Sequence, residues 1–175
     1  MSRLLKTAIA VAVVSAIAAP AMAQSSATQS TTASVKIVQP ITLTKNSDLA
    51  FGTVVKPTTG SNTVTVSTSS DTPALTGAGD AALAASTTSR ADFTVGGEGA
   101  QTFSITVPAS VTMTRSGGSE TLAVTLTKSA SSGSLSGSMG SAGSATFDVG
   151  GAFTVSSSTT SGAYSGSFNT TVAYN

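Results

Sequence analysis

The sequence predicts an all-β fold, an antiparallel sandwich or barrel. Short runs rich in Val, Ile, Thr and Phe alternate apolar and polar residues at period two. Gly, Pro, Asn and Ser turns separate these runs at strand-like spacing, and no window past the first two dozen residues sustains a helical period.

The polar stretch 24–34 is nearly all Ser, Thr, Gln and Ala, with little to bury. Val35, Ile37 and Val38 then lead to Pro40, which ends a strand or marks an edge because proline has no N–H for a ladder. Ile41 and Leu43 alternate with threonines, and Leu49, Phe51, Val54 and Val55 follow, with Gly52 read as a bulge. Residues 57–62 read as a turn, and 63–67 alternate cleanly. Residues 68–90 are the least strand-like, and alanine's helix propensity leaves room for a helical turn at 81–85. Strands resume at Phe93 and Val95, at Phe103, Ile105 and Val107, at Val111 and Met113, and at Leu122, Val124 and Leu126. Residues 129–144 read as a loose Gly/Ser loop anchored only by Leu135 and Met139. Phe147 and Val149, then Phe153 and Val155, precede a last strand running from Tyr164 to the end of the sequence.

Composition narrows the function. The 175 residues include no His, Cys or Trp, and only 9% are charged. Thiolate nucleophiles, His-based triads, disulfide frameworks and ordinary zinc or haem sites are thereby excluded. Eight Lys and Arg against seven Asp and Glu leave no basic footprint for nucleic acid. The acidic residues are scattered, and even the nearest pair to flank one loop, Asp71 and Asp80, suits turns better than catalysis. Gly77-Ala78-Gly79 is a fragment of a dinucleotide fingerprint without the βαβ unit that gives it meaning. Asn169-Thr170-Thr171 matches a glycosylation acceptor but falls inside a predicted strand. No enzyme, cofactor or metal site is expected.

Residues 1–23 read as a secretory signal peptide. Arg3 and Lys6 form its positive start, an apolar run follows, and Ala21-Met22-Ala23 supplies small residues before Gln24. The run falls short of the ~20 apolar residues of a membrane span, so no transmembrane segment is expected after cleavage. Removing Arg3 and Lys6 leaves six basic against seven acidic residues, a net charge of −1. The expected organisation is a leader at 1–23, an N-terminal extension at 24–39 and a β-sandwich domain at 40–175.

Both ends carry a pattern. Tyr164, Phe168, Val172 and Tyr174 share one parity, Tyr174 is next to the last residue given, and Gly162 is fourteenth from it. This tail resembles that of chaperone–usher pilus subunits, including the spore-coat-U-like proteins of the archaic branch. The resemblance implies an immunoglobulin-like sandwich left incomplete and completed by a donated strand. It makes Gly162, Tyr164, Phe168, Val172 and Tyr174 the candidate chaperone or assembly strand, and Ala33, Val35 and Ile37 the candidate donor strand. The partners it implies are copies of the chain itself, a periplasmic chaperone and an outer-membrane usher, at the cell surface in a fimbria. Unlike archaic pilins, the chain has no cysteine.

A second resemblance covers most of the mature chain. Asp48-Leu49-Ala50-Phe51-Gly52-Thr53-Val54, the segment from Phe93 to Glu98 and the segment from Phe103 to Pro108 are similar to a family of Gram-negative secreted β domains named only as a domain of unknown function. The residues leave a second function class open, a closed monomeric surface or adhesin domain whose N-terminal segment pairs within its own chain. An exported hydrolase is a distant third. The leader is directly testable: the intact mass of exported protein should correspond to a chain beginning at Gln24, and a mass retaining residues 1–23 would remove the export reading.

Overall fold

The computed structural model describes residues 25–175, so the leader expected at 1–23 lies outside the described residues. Residues 25–35 are exposed and irregular, and Lys36–Asn175 forms one compact unit. Among the described residues every regular element is a strand, and no helix is long and apolar enough to cross a membrane.

Thirteen strands follow in order: β1 (Thr42–Ser47), β2 (Thr53–Val55), β3 (Ser61–Val66), β4 (Ala74–Gly77), β5 (Ala82–Ala84), β6 (Ala91–Glu98), β7 (Thr102–Thr106), β8 (Ser110–Arg115), β9 (Thr121–Lys128), β10 (Ser132–Ser134), β11 (Ala142–Ser156), β12 (Tyr164–Ser165) and β13 (Thr171–Tyr174). All pairings are antiparallel. The large sheet runs β1-β6-β11-β9-β8-β12, with β3 added to β11 and β4 to β3. A smaller sheet runs β10-β7-β13, and β2 pairs with β5. The fold is an all-β, sandwich-like one.

Alternation places the core. In β6, Ala91, Phe93 and Val95 are buried while Asp92 and Thr94 are not, and β7 does the same with Phe103 and Ile105. These join Val64, Val124, Phe147, Val149, Phe153 and Val155 in one cluster fed by both sheets. Few aromatics are available, and they are used in pairs. Phe93 lies directly across from Phe147 in the ladder and stacks on it at 5.1 Å between centroids, while Phe51 and Phe153 meet edge-on at 5.0 Å. Such pairs contribute about 0.5–1.5 kcal/mol beyond their buried area.

β11 organises the large sheet. Its first half pairs with β6, its middle with β9 and its last six residues with β3. The handover falls at Gly150 and Gly151. A Cβ on Gly150 would lie 2.4 Å from the Val66 carbonyl oxygen, and one on Gly151 would lie 3.0 Å from both Leu49 and Val124 side chains. Only glycine lets neighbouring backbone and core approach so closely here.

Two sequence expectations fail. The helical turn at 81–85 is instead β5, whose residues pair with Val55, Val54 and Thr53. Three alanine-rich residues cannot nucleate a helix, whereas a ladder to β2 satisfies their backbone groups at once. The loose loop at 129–144 holds ladder at two places: β10 pairs with β7, and β11 already begins at Ala142. Leu135 is buried as expected, but Met139 is 55% exposed and anchors nothing. The glycines there serve close packing, since a Cβ on Gly133 would lie 2.7 Å from the Phe103 ring.

Side-chain caps hold the turns. Asn62, buried, donates to the carbonyls of Thr76 and Gly79 and accepts from the Ala81 N–H. Asp80 accepts from the Thr58 hydroxyl at 2.5 Å and from the N–H groups of Thr58 and Thr59 at 2.7 and 3.2 Å. These donors, the Thr58 hydroxyl foremost, hold the Asp80 carboxyl down to about 2 from its ordinary 3.8. A depressed carboxyl contributes stability above its unfolded value and loses it as pH falls through the folded one. The corner at 57–60 should therefore loosen between about pH 4 and pH 2. An NMR titration should place the Asp80 midpoint near 2, and Asp80→Asn should remove that step from the amide protection of Thr58 and Thr59.

Candidate functional site

Each sheet ends in a strand with one free edge. Among the described residues β1 takes ladder bonds from β6 alone, and β13 from β7 alone. The two run antiparallel and come within 8 Å of each other. At one end the gap between them is sealed. The Tyr174 hydroxyl accepts from the Glu98 N–H at 2.7 Å and donates to the Gln39 carbonyl at 2.9 Å. The Glu98 carboxylate, on a residue only 3% exposed, accepts from the Gln39 N–H at 3.3 Å and from the Gly140 N–H. Gly97 makes room, because a Cβ there would lie 2.1 Å from the Tyr174 hydroxyl. A buried carboxylate is tolerated only when its oxygens are bonded, and here backbone donors do so.

At the other end the gap opens. A cleft of about 310 Å³ is walled on one side by Lys45, Asp48 and Leu49 and on the other by residues 166–170, with Ala91 and Phe93 at its floor. Lys45 and Asp48 form an exposed ion pair on the rim, of the kind that contributes little to stability. None of residues 166–170 joins a ladder. The Thr170 hydroxyl oxygen is buried there without a hydrogen-bond partner.

The tail departs from the single strand expected at 164–175. It is two short strands, Tyr164–Ser165 on β8 and Thr171–Tyr174 on β7, with 166–170 crossing between the sheets. A Cβ on Gly166 would lie 2.5 Å from the Thr112 carbonyl oxygen, so the chain presses against β8 and then leaves it. The expected parity nevertheless persists: Tyr164, Phe168, Thr170, Val172 and Tyr174 are half-buried and their neighbours exposed.

Phe168 lines the open cleft, Val172 pairs opposite Ile105, and Tyr174 forms the seal. Tyr164 donates its hydroxyl to the Thr160 carbonyl at 2.8 Å, beside Arg115 and Gly162. Arg115 grips Glu120 through two bonds of 2.8 and 3.1 Å, which hold the Glu120 carboxyl below its usual range and push the guanidinium up. Ala33, Val35 and Ile37 belong to no strand, and Val35 and Ile37 are each 83% exposed.

Glu98, Gln39 and Thr170 carry the site's polar chemistry, and strand reading missed all three. The legible signal for Glu98 was a lone carboxylate directly behind Gly96-Gly97, where the alternation of an apolar strand ends.

A family model described as a domain of unknown function, DUF4402, matches residues 41–174. The chain belongs to the DUF4402 family. Comparison with curated proteins and with solved structures gave no match. The matched stretch begins at Ile41, after Gln39, and ends on Tyr174, so it includes two of the three residues of the seal.

Replacing Tyr174 with Phe keeps the ring and removes both hydroxyl bonds. Each bond contributes about 0.5–1.5 kcal/mol net, more where a buried group is left unpaired. Tyr174→Phe should lower unfolding free energy by about 1–3 kcal/mol in urea titration and speed hydrogen exchange at the Glu98 amide.

Proposed function

We propose that this DUF4402 protein is an exported structural subunit of an extracellular pilus or fimbria, assembled by donor-strand exchange. One observation carries the reading: two free sheet edges flank a cleft with an apolar floor, while the same chain holds Val35 and Ile37 exposed on an alternating segment outside its own sheets. A strand laid in such a cleft gains backbone hydrogen bonds on its edges and buries alternate side chains in the floor.

The direction of the extension supports exchange between copies over closure within one. Gln39 is tied at the sealed end, and the Lys36 ammonium donates to the Gln101 side chain at the β6–β7 turn. From there β1 runs toward the open end. The residues just before β1 are thus held at the sealed end, away from the open cleft, and Ile37 is exposed among them. On this reading the partners are copies of the chain, a periplasmic chaperone that occupies the cleft before assembly, and an outer-membrane usher. The place is the cell surface.

The competing reading is a monomeric secreted or surface-attached binding or adhesin domain. Val35→Asp separates them. Because Val35 is 83% exposed, the variant should melt like wild type as an isolated subunit. An unpaired charge forced into the apolar cleft of a neighbour costs several kcal/mol. Electron microscopy and size-exclusion chromatography should therefore show filaments or oligomers for wild type and a folded monomer for Val35→Asp. A wild-type chain that stays monomeric at all concentrations, with or without chaperone, would leave the monomeric domain.

A further inference from the structure

We propose that an incoming strand takes its backbone hydrogen bonds from one wall of the cleft only, the crossing segment 167–170, and that the opposite wall, β1, is built to refuse them. The inference rests on the strand-exchange reading above and names the edge that does the binding.

The crossing segment has the side-chain pattern of a strand without the ladder of one. Half-buried Phe168 and Thr170 alternate with exposed Ser167 and Asn169, in phase with Tyr164 before them and with Val172 and Tyr174 after them. Ladder bonds hold the tail on either side, to β8 as far as Ser165 and to β7 from Thr171. Gly166 is still pressed against the Thr112 carbonyl of β8, so the unpaired edge begins at Ser167. No backbone N–H or carbonyl of residues 167–170 has a hydrogen-bond partner among the described residues. All four residues line the open cleft. Side-chain pattern and backbone pairing usually agree, and a stretch patterned as a strand but unpaired in its own chain suits a partner strand from another.

The facing wall is different. β1 keeps register with β6 as far as Lys45, opposite Phe93, and resumes at Ser47, opposite Asp92, so Asn46 is an extra residue. This bulge is pinned, because the Asn46 amide donates to the Asp92 carboxylate and, at 2.8 Å, to the Thr94 hydroxyl. A bulge bends its strand and breaks the even spacing of N–H and carbonyl groups along the edge. Beside it Lys45 and Asp48 set their ion pair on the rim of the cleft. Bulges and charged side chains are both devices by which edge strands avoid pairing. An incoming strand therefore meets unpaired backbone on the tail side and a bent, charged edge on the β1 side. Leu49 still offers it apolar contact there, so the strand is bonded on one side and only packed on the other.

Hydrogen exchange tells the two walls apart. The acceptor is the mature Val35→Asp chain, whose changed residue is exposed. The probe is a synthetic peptide of residues 25–39 with the wild-type sequence. At saturating peptide, amides within residues 167–170 should exchange at least about tenfold more slowly, while those of residues 45–48 stay within about twofold of the free chain. Slowing at residues 45–48, alone or together with the tail, would overturn the one-sided edge while leaving strand binding intact. Peptide binding that slows neither wall would overturn it as well.

Blocked peptides give a second reading that needs no change in the acceptor's cleft. Successive N–H groups of a strand point to opposite edges, so N-methylation at Ala33 and Val35 blocks one edge and N-methylation at Ser34 and Lys36 blocks the other. One of these two peptides should bind within about twofold of the unmodified one, and the other at least about tenfold more weakly. Equal loss from both would mean bonds to both walls and would overturn the inference. A wild-type peptide that neither binds nor raises the melting temperature of the acceptor would overturn strand exchange itself, and the one-sided edge with it.

Discussion

The buried carboxylate of Glu98 is the constraint on which the arrangement depends. It sits at the end of β6 in a cluster of bonds that joins the start of the domain, the last strand and the loop before β11. The carboxylate takes one donor from Gln39 and one from Gly140, and the Glu98 N–H donates to Tyr174, so one residue holds the four segments as a set. The consequence is geometric. With one end of the gap between β1 and β13 locked, the unfilled space is confined to the other end, where Phe93 and Ala91 form the floor. A groove with one closed end and one open end has a polarity, which a gap open along its whole length would lack.

A chain with few aromatics and no cysteine builds this domain from backbone proximity. Gly97 under Tyr174, Gly133 under Phe103 and Gly150 against Val66 each let a neighbour come closer than a Cβ would permit. The charged residues are spent on tying loops to strands. Arg90 bonds Asp148 at 2.8 Å and Asp71 at 3.3 Å, linking the start of β6 to β11 and to the loop after β3. Its guanidinium is pushed up chiefly by the Asp148 hydrogen bond. Lys128 reaches across to the Ile105 carbonyl at 2.6 Å and so ties the large sheet to the small one.

Legibility followed burial. Wherever one face of a strand is buried and the other solvated, as in β3, β6, β7 and β9, the alternation of Val, Phe, Ile and Leu with Thr is visible in the sequence and the strand was placed. The tail's parity was visible for the same reason, although its hydrogen bonds change partners halfway. β10 and the start of β11 were hidden because their Ser and Gly carry no apolar period; Gly133 owes its place to the Phe103 ring and Gly143 to close backbone contact with Ser136 and Gly99. Glu98, Gln39 and Thr170 were hidden for a different reason. The Tyr174–Gln39 bond joins residues 135 apart in sequence, and no local window contains both. The meaning of a polar side chain lies in its partner, so sequence alone exposes the residue and not its role.

The place of β11 in the chain also bears on how the molecule is made. Its fifteen residues lie at Ala142–Ser156, yet β3, β6 and β9 all need them as a partner. Until that stretch has emerged, β3 holds only its pairing with β4, and β6 only its pairing with β1. Most of the large sheet must then form from strands far apart in sequence, a topology in which loop-closure entropy precedes the reward and folding is slow. During that interval the alternating Val and Phe of β3 and β6 are uncovered with free edges, which is when such strands pair wrongly with other chains. The chain is thus most vulnerable just before its longest strand arrives.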